Sequence, residues 1–594
     1  MSKRERVPRP WRSRDDAKVR WVAFVGTALF LAGCAGPPPS AIPVPTAVSP
    51  QAGQTVRTGA GVIVSANEIA SRIGAGVLAA GGNAVDAAIA TGFALAVVHP
   101  AAGNIGGGGF MVIRHPDGRA TTFDFREKAP LTAHPEMFVD ERGEYSRRIQ
   151  ANTHLAVGVP GTVAGFALAH ERYGRYDWSS LVEPAVALAG EGFILSDDLA
   201  YSLAAQVRGG MQPYPASVAA FSRNGEPYAV GEVWRQPDLA RTLERIMREG
   251  RHGFYRGETA RLIREEMERG NGVITEEDLA RYEAQEREPV RGTYRGYEVI
   301  SMSPPSSGGV ALVQMLNILE GFDLRAMGHG GAAHLHHVTE AQRLAYRDRA
   351  RFLADPDFVP VPVDRLTSKE YAAELRTLIA PNRAGVSSAE DVAVPAESNH
   401  TTHYSVVDAE GMAVSVTYTL EASYGSKITV TGAGFLLNNE MGDFNPWPDM
   451  TTEAGQIGTE PNLARPEQRM LSSMTPTILA RDGGLAAIIG SPGGRTIINT
   501  VLHLALNIAE FEMDPEDAIA APRSHHQWLP DRITIEERHG RREVARELEA
   551  MGHRDVRVEG VQGQAHSIVV DRRTGARVAI PDPRSADAGA AAEQ

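Results

Sequence analysis

The sequence is poor in several features that would each indicate a class of protein. It contains one cysteine, Cys34, in 594 residues, so the fold can use neither an internal disulfide nor a cysteine-based metal site. Its 60 Lys and Arg are outnumbered by 73 Asp and Glu, which gives a net charge of −13 and argues against a nucleic-acid partner. An apolar fraction of 43% remains, enough for two ordinary globular domains or one very large one.

The N-terminal segment has the composition of an export signal. Eight Lys and Arg residues lie within the first 20 positions and precede the apolar stretch WVAFVGTALFL at 21–31. Eleven apolar residues are too few to span a membrane, which takes about 20, so residues 1–33 are predicted to be a signal peptide. The sequence LAGC at 31–34 resembles a bacterial lipobox, in which Cys34 carries the lipid. The alternative is a stray cysteine in a signal peptide that is cut elsewhere.

Residues 34–57 follow as a proline-rich segment with six prolines. That composition favours an extended, semi-rigid tether over a packed element. We therefore expect an exported, periplasmic protein that is lipid-anchored to a bacterial membrane, either inner or outer. The lipid is its only predicted membrane contact.

The remaining pattern predicts a layered α/β protein. From about residue 58 the pattern reads as a strand, GVIVSAN, followed by two helices, with Asn83 capping a second helix that is apolar on nearly every face. The middle third, at about 160–390, is mostly helical, whereas the last third is mostly strand. HYSVVDAEGMAVSVTYTL at 403–420 predicts a hairpin, and the tail after about residue 586 is expected to be disordered.

Two glycine-rich stretches could serve a site. In GNIGGGGF (103–110) a predicted helix precedes the glycines and a strand follows, which is the reverse of a dinucleotide-binding fingerprint. In GSPGG (490–494) a strand delivers Gly493 and Gly494 to the start of a helix. Free backbone N–H groups converge there, as an oxyanion hole requires. The alternative reading of this second stretch is a plain turn.

The stretch ESNHTTHYSVVD (397–408) contains a candidate nucleophile. A threonine hydroxyl needs a base beside it, and an α-amino group with a pKa near 8 can be that base. If the chain is cut between His400 and Thr401, Thr401 carries both groups. The alternatives are a threonine-rich strand start and a glycosylation sequon at Asn399.

Six motifs in order resemble the gamma-glutamyltranspeptidase family, from about residue 58 to 587. They are AAGNIGGGGFMV (101–112), DFREKAP (124–130), TTHYSVVD (401–408), LSSMTPT (471–477), GSPGG (490–494) and APRSHHQWLPD (521–531). The resemblance implies an α+β fold, the four-layer αββα sandwich of N-terminal nucleophile (Ntn) hydrolases. It also implies a precursor that cuts itself into a large subunit, 58–400, and a small subunit, 401–594, which remain associated.

The same resemblance assigns roles to single residues. Thr401 would be the self-processing residue and the nucleophile, and Thr419 would support its hydroxyl. Gly493 and Gly494 would supply the oxyanion donors. Arg126 would grip the substrate α-carboxylate, a bidentate task suited to guanidinium, with Ser472 and Ser473 as its hydroxyl partners.

Three acidic residues would bind the substrate α-ammonium. Asp443 matches the acidic residue of the family, whereas Glu440 stands where bacterial members often have Gln and Glu421 where many have Asn. Three neighbouring carboxylates suit an ammonium, and their like charges raise a carboxyl pKa; solvated strand positions are the alternative for Glu421 and Glu440. Residues 445–470 match a stretch that covers the pocket as a mobile lid, although no lid tyrosine is evident.

The expected activity is acyl transfer from γ-glutamyl compounds such as glutathione, through a γ-glutamyl ester on Thr401, to water or to an amino acid or peptide acceptor. No metal or organic cofactor is expected, and His403, His525 and His526 are interpreted as structural. One alternative is a related acylase that acts on glutaryl side chains of cephalosporins. The other is a non-catalytic surface lipoprotein that keeps the fold as a binding module.

Overall fold

The structure is a computed structural model, and it describes residues 42–389, 401–448, 450, 452–454, 456, 458–537 and 541–593. The predicted signal peptide, Cys34 and the predicted cleavage residue His400 lie outside these ranges. Within them, no helix combines the length and the apolar character needed to cross a membrane.

The described chain contains both long and very short strands. They are β1 (Val56–Thr58), β2 (Val62–Ser65), β3 (Gly108–Arg114), β4 (Ala120–Phe125), β5 (Phe193–Ile194), β6 (Ser222–Arg223), β7 (Glu226–Pro227), β8 (Val233–Trp234), β9 (Gln285–Arg287), β10 (Val290–Tyr294), β11 (Tyr297–Ser301), β12 (Thr401–Val407), β13 (Ala413–Thr419), β14 (Thr477–Arg481), β15 (Gly484–Ile489), β16 (Ser524–His525), β17 (Ile533–Ile535), β18 (Val556–Val558), β19 (Ser567–Val570), β20 (Arg577–Ile580) and β21 (Gly589–Ala592).

Helices dominate the middle of the chain, as the sequence predicts. They are α1 (Glu68–Ala79), α2 (Ala84–Val98), α3 (Arg147–Asn152), α4 (Thr162–Tyr173), α5 (Trp178–Glu191), α6 (Asp197–Arg208), α7 (Pro215–Phe221), α8 (Pro237–Glu249), α9 (His252–Tyr255), α10 (Gly257–Arg269), α11 (Glu276–Arg281), α12 (Gly308–Leu319), α13 (Leu324–Met327), α14 (Ala332–Phe352), α15 (Val363–Leu366), α16 (Lys369–Arg376), α17 (Thr496–Ala509), α18 (Pro515–Ala520) and α19 (Arg541–Ala550).

Two seven-stranded antiparallel sheets form the centre of the protein. Sheet I has the order β1-β20-β19-β15-β14-β11-β10, and sheet II has the order β21-β2-β12-β13-β3-β4-β9. The sheets face each other through β12 and β13 of sheet II and β14, β15 and β19 of sheet I. Helices α1, α2 and α4 cover sheet II, while α12 and α18 cover sheet I. The predicted four-layer αββα sandwich is therefore confirmed.

The predicted hairpin forms the middle of sheet II. Strands β12 and β13 pair over seven residues, from Thr401 opposite Thr419 to Val407 opposite Ala413. Every residue of both strands is buried, because one face meets sheet I and the other meets α2. Alternation along β12 places Thr401 on the face toward sheet I.

Helix α2 packs against the face of this hairpin that is turned away from sheet I. Its N-terminus has the predicted cap, since the Asn83 side chain accepts from the backbone N–H of Val85 and Asp86. All of its residues are buried, as its apolar sequence predicts. The hydroxyls of Tyr404 and Tyr418 each donate to an α2 carbonyl at 3.0 Å, which fixes the hairpin against the helix.

Both predicted subunits contribute to sheet II. Strands β2, β3, β4 and β9 precede residue 400, whereas β12, β13 and β21 follow it. Strand β12 pairs with β2 on one side, and β13 pairs with β3 on the other. A cut between residues 400 and 401 therefore leaves the two chains joined by continuous strand pairing.

The two chain ends differ from the sequence-based expectation. The tail after residue 586 was expected to be disordered, and this is wrong for residues 589–592, which pair as β21 with β2. Their small side chains carry no strand signal, but they fit closely, because a Cβ on Gly589 would lie 2.4 Å from that of Glu68. Ile42, Val44 and Val48, in the predicted tether, pack on the core, so this part of the segment is docked and is not a free spacer.

Deletion of residues 589–594 tests the role of β21. Loss of four residue pairs removes roughly four hydrogen bonds of about 1 kcal/mol each, and it leaves β2 as an unpaired edge. We expect a melting temperature lower by a few degrees and increased aggregation, measured by thermal denaturation. Deletion of Gln594 alone is the control, and an unchanged melting temperature in the longer deletion would contradict this role.

Candidate active site

Thr401 and Thr419 form a hydrogen-bonded pair at the open end of the hairpin. The Thr401 hydroxyl donates to Thr419 Oγ1 at 3.3 Å. Thr419 Oγ1 also accepts from the backbone N–H of Glu421 at 2.8 Å. Thr401 lines a cavity, whereas the neighbouring Thr402 points to the opposite face of the strand. The Thr402 hydroxyl is buried and has no hydrogen-bond partner among the described residues.

The predicted glycine turn connects β15 to α17 beside this pair. Gly493 and Gly494 have φ values of +132° and +55°, which L side chains rarely adopt. A Cβ on Gly493 would lie 2.4 Å from Thr496 Oγ1. Gly494 lines the cavity together with Thr401. The turn thus brings bare backbone close to the nucleophile candidate at a helix N-terminus, where donors and the helix dipole favour negative charge.

Arg126 lies directly after β4 and is fully buried beside the cavity. Its guanidinium contacts Glu440 through Nη1 and Asp443 through Nη2. It also donates to the backbone carbonyls of Met470 and Leu471, each at 3.2 Å. These four contacts fix the plane of the guanidinium, and two of the residues predicted to bind the substrate ammonium, Glu440 and Asp443, contact Arg126 in the structure.

Ser472 and Ser473 line the same cavity. Ser472 Oγ accepts from the backbone N–H of Met474 at 3.2 Å. Ser473 Oγ accepts from Arg349 Nη2 at 3.1 Å. No sequence pattern indicates Arg349, because it lies 124 residues from Ser473 and only the fold brings the two together.

Glu421 lies two residues after the end of β13, and it lines the cavity. Its φ is +75°, and neither of its carboxylate oxygens accepts a hydrogen bond from a described residue. Arg147 Nη2 lies 3.7 Å from Glu421 Oε1. The cavity is therefore lined by Glu421, Glu440 and Asp443, as predicted.

A fourth carboxyl, Glu127, was not assigned from the sequence although it adjoins Arg126 in the DFREKAP motif. It lies 3.6 Å from Arg126 Nη1 and is fully buried. Burial raises the pKa of Glu127 to about 8 against the opposing effect of Arg126. Burial likewise raises the pKa of Glu440 well above its ordinary value, and Glu127, Asp443 and Glu421 add to that shift while Arg126 opposes it. Three buried carboxyls, those of Glu127, Glu440 and Asp443, therefore lie against one guanidinium, that of Arg126.

The cavity at Thr401 is small, about 20 Å³, which is close to the space that one water needs. Its size follows from the contacts of Arg126, because the guanidinium and its carboxylates fill the space between them.

Residues 445–470 are the stretch predicted to form a lid. Asn462 donates to the Asp443 carbonyl at 2.8 Å and accepts from the Leu471 N–H at 2.9 Å. Ala464 and Met470 are fully buried in a small apolar cluster. Asn462, Ala464 and Met470 are thus packed against the body in the structure, and a mobile lid at 445–470 stays a prediction.

The three histidines considered in the sequence occupy structural positions. His403 contacts Thr417 and Ser405 hydroxyls at 2.9 and 3.1 Å, and burial lowers its pKa to about 3. Burial also lowers the pKa of His525 to about 4 and that of His526 to about 3. Each is therefore neutral at pH 7, and none of them lines the cavity at Thr401.

One cluster among the described residues has the composition of a metal site. His336, Glu340 and His553 lie together and are buried. His336 Nδ1 contacts His553 Nε2 at 2.9 Å, and Glu340 accepts from Arg343 and from the Gly385 N–H. These contacts use the same groups that would bind an ion, and none of the three lines the cavity at Thr401.

The fold and the site together define an Ntn hydrolase. The αββα sandwich places a threonine at the first residue of a central strand, with backbone donors and a charged pocket beside it.

Comparison with known proteins identifies the branch of this class. A sequence model described as gamma-glutamyltranspeptidase matches residues 70–592. The glutathione hydrolase proenzyme of Escherichia coli K12 is 44% identical over 572 residues, which cover 96% of this chain and 98% of that protein. The chain belongs to the gamma-glutamyltranspeptidase family, as the six motifs predict.

Solved structures agree with this assignment. The Helicobacter pylori gamma-glutamyltranspeptidase chain is 47% identical, with a TM-score of 0.52 over 53% of this chain and 90% of its own. Cephalosporin acylase from Bacillus halodurans is 26% identical, with a TM-score of 0.80 over 91% of this chain and 97% of its own. The acylase shares the fold at a lower sequence identity.

Replacing Thr419 by Val tests the hydroxyl pair. The change keeps the side-chain volume but removes the acceptor for Thr401 and leaves the Glu421 N–H unpaired, which costs about 1–3 kcal/mol. We expect turnover to fall by at least about tenfold, measured as steady-state kcat. Thr402→Val is the matched control, because it removes a hydroxyl without a partner. Equal activities of the two variants would contradict the pairing.

Proposed function

We propose that the protein is a self-processing γ-glutamyltransferase and glutathione hydrolase in which Thr401 is the nucleophile. The observation that carries the proposal is the position of Thr401. It begins a central strand, its hydroxyl bonds Thr419, and it shares one cavity with Gly494 and the Arg126 cluster.

The first reaction is cleavage of the precursor. The Thr401 hydroxyl attacks the carbonyl carbon of His400, an ester bond forms, and the peptide C–N bond breaks. Water then hydrolyses the ester, so His400 ends the large subunit and Thr401 begins the small one. The freed α-amino group of Thr401 is the base that its hydroxyl needs.

The second reaction is acyl transfer. The Thr401 hydroxyl gives its proton to the α-amino group and attacks the γ-carbonyl of the donor. The oxyanion is stabilised by backbone N–H groups at Gly493 and Gly494. The leaving amine takes the proton, and a γ-glutamyl ester remains on Thr401. Water or an amino acid or peptide acceptor then cleaves the ester; every group in these steps comes from the chain or the substrates.

Donor recognition follows from the charges already in the pocket. Arg126 is paired with Glu440 and Asp443 in the structure. A donor with an α-carboxylate and an α-ammonium can replace each half of these pairs. Its carboxylate binds Arg126, Ser472 and Ser473. Its ammonium binds the carboxylates of Glu421, Glu440 and Asp443. The buried charges stay paired, as their cost of burial requires.

The same pocket disfavours the acylase alternative. A glutaryl side chain has no α-ammonium, so its carboxylate would take Arg126 away from Glu440 and Asp443 and leave these two buried carboxylates without a cation. An uncompensated buried charge costs about 3–5 kcal/mol.

We further propose that the protein is exported and held on a membrane through a lipid on Cys34. The basic segment and the LAGC sequence support this anchor. The two subunits stay together after cleavage, which is supported by the shared strands of sheet II.

Replacing Thr401 by Ala tests self-processing. On a denaturing gel, we expect the wild type to convert into two bands, with the smaller beginning Thr-Thr-His-Tyr, and Thr401→Ala to remain one band without turnover. Thr402→Ala is the control and should be cut. Normal cleavage of Thr401→Ala would show that the nucleophile lies elsewhere.

Steady-state kinetics with two chromogenic donors tests the substrate class. We expect kcat/KM for γ-glutamyl-p-nitroanilide to exceed that for glutaryl-p-nitroanilide by at least about 100-fold, the equivalent of one unpaired buried charge. Asp443→Asn should narrow this ratio by weakening the hold on the ammonium. A wild-type enzyme that prefers the glutaryl compound would support the acylase instead.

Replacing Cys34 by Ala tests the anchor. Without the lipid, the enzyme should move from the membrane fraction to the soluble fraction, measured by activity after ultracentrifugation. The described body is unchanged, so its specific activity should be kept. Retention of the variant in the membrane fraction would contradict a lipid on Cys34.

A further inference from the structure

We propose that Glu421 carries a proton in the empty site and releases it to solvent when the α-ammonium of a donor binds. Glu421 is then a specificity-determining residue whose charge appears only with a cationic donor. This inference rests on the proposed function and goes beyond it, because it names the one residue whose protonation state changes when a donor binds.

The backbone at Glu421 directs its side chain into the pocket. Its φ of +75° is a left-handed conformation that Gly and Asn adopt more readily and that costs roughly 1–2 kcal/mol for other residues. The bond from its N–H to Thr419 Oγ1 holds this conformation. The same hydroxyl contacts Thr401, so the position of the carboxyl is tied to that of the nucleophile.

The carboxyl of Glu421 is the least compensated in the cavity. Glu440 and Asp443 contact Arg126, whereas no described residue donates a hydrogen bond to either oxygen of Glu421. Arg147, 3.7 Å away, has a side chain that is 41% exposed, while that of Glu421 is 2% exposed. Water therefore screens the cation more than the carboxyl.

The charged groups around Glu421 come from several elements, and in the mature enzyme the freed α-amino group of Thr401, at the start of β12, shares the cavity with them. Asp443 and Glu440 face it from the short helical turn Glu440–Asp443, Arg126 from the end of β4, Arg147 from α3, and Lys427 from the loop after β13. Burial and Asp443 raise the pKa of Glu421 to about 8, against the opposing effects of Arg147, Lys427 and Arg126. The neutral acid is then the main form at pH 7.

Donor binding reverses this balance. An ammonium in contact with the carboxyl favours the ionised form and lowers its pKa. The O–H bond of Glu421 breaks, its proton goes to solvent, and a carboxylate–ammonium pair forms, while the donor's α-carboxylate pairs with Arg126. Below about pH 8, linkage then requires donor affinity to rise with pH.

Calorimetry with an unreactive probe measures the released proton. L-Norleucine carries the α-ammonium and α-carboxylate but no scissile bond, and hexanoate lacks the ammonium. Titrations of the mature wild-type enzyme at pH 7 in Tris and in phosphate should differ in heat by the release of about one proton per bound L-norleucine. Hexanoate should release none, and an absence of proton release with L-norleucine would overturn the inference.

Two isosteric variants locate the proton. Glu421→Gln should abolish the release, whereas Glu440→Gln should keep it; the opposite pattern, or release that persists in Glu421→Gln, overturns the assignment. Glu421→Asn is a second variant at the same position, chosen because Asn tolerates the left-handed backbone that residue 421 adopts. Self-cleavage on a gel shows that each variant is folded.

The pH dependence of KM is a second readout that does not need a tightly bound probe. For γ-glutamyl-p-nitroanilide, the wild-type KM should fall up to about tenfold per unit between about pH 6 and pH 7.5, and less in Glu421→Gln. Equal profiles would overturn the inference. A wild type that hydrolyses the donor with equal profiles leaves the proposed function intact, whereas a wild type without hydrolysis contradicts the proposed function itself.

Discussion

The pairing of Thr401 with Thr419 is the constraint on which the site depends. A nucleophile that is also a chain terminus would normally be mobile, because chain ends fray. Here the terminus would be the first residue of a strand that pairs with β2 and β13 and lies on α2. After the proposed cut, the sandwich would therefore position a chain end that is otherwise free to move, and the Thr419 hydroxyl bonds both Thr401 and the N–H of Glu421.

A second constraint is the charge in the pocket. Three buried carboxyls, those of Glu127, Glu440 and Asp443, lie against the Arg126 guanidinium, and that of Glu421 lies in the same cavity near Arg147. This excess is costly in an empty site, since buried charge must be paired or neutralised by a proton. A donor that brings one carboxylate and one ammonium keeps the balance, whereas a donor without the ammonium does not. The same electrostatics account for the raised carboxyl pKa values and are the basis of the donor choice proposed above.

Much of this architecture could be predicted from the sequence, because local patterns determine it. Alternation identified the β12–β13 hairpin, the apolar run of α2 indicated burial, and six motifs indicated the family. Contacts between distant segments were not predictable: Arg349 reaches Ser473 and Arg147 approaches Glu421 only in the fold. The alanine-rich β21 was not predicted, because its small residues carry no strand signal in the sequence and their close packing is visible only in the fold. Glu127 was not predicted, because the DFREKAP motif gives a role to its neighbour Arg126 and none to Glu127.

The most direct test of the central claim is to identify the residue that carries the acyl group. The mature enzyme is mixed with γ-glutamyl-p-nitroanilide, quenched with acid within one turnover, and its peptides are sequenced by mass spectrometry. We expect one γ-glutamyl group on the peptide that begins with Thr401 and none on the same peptide of enzyme mixed with p-nitroaniline alone. An adduct on any other residue would contradict the assignment of Thr401 as the nucleophile.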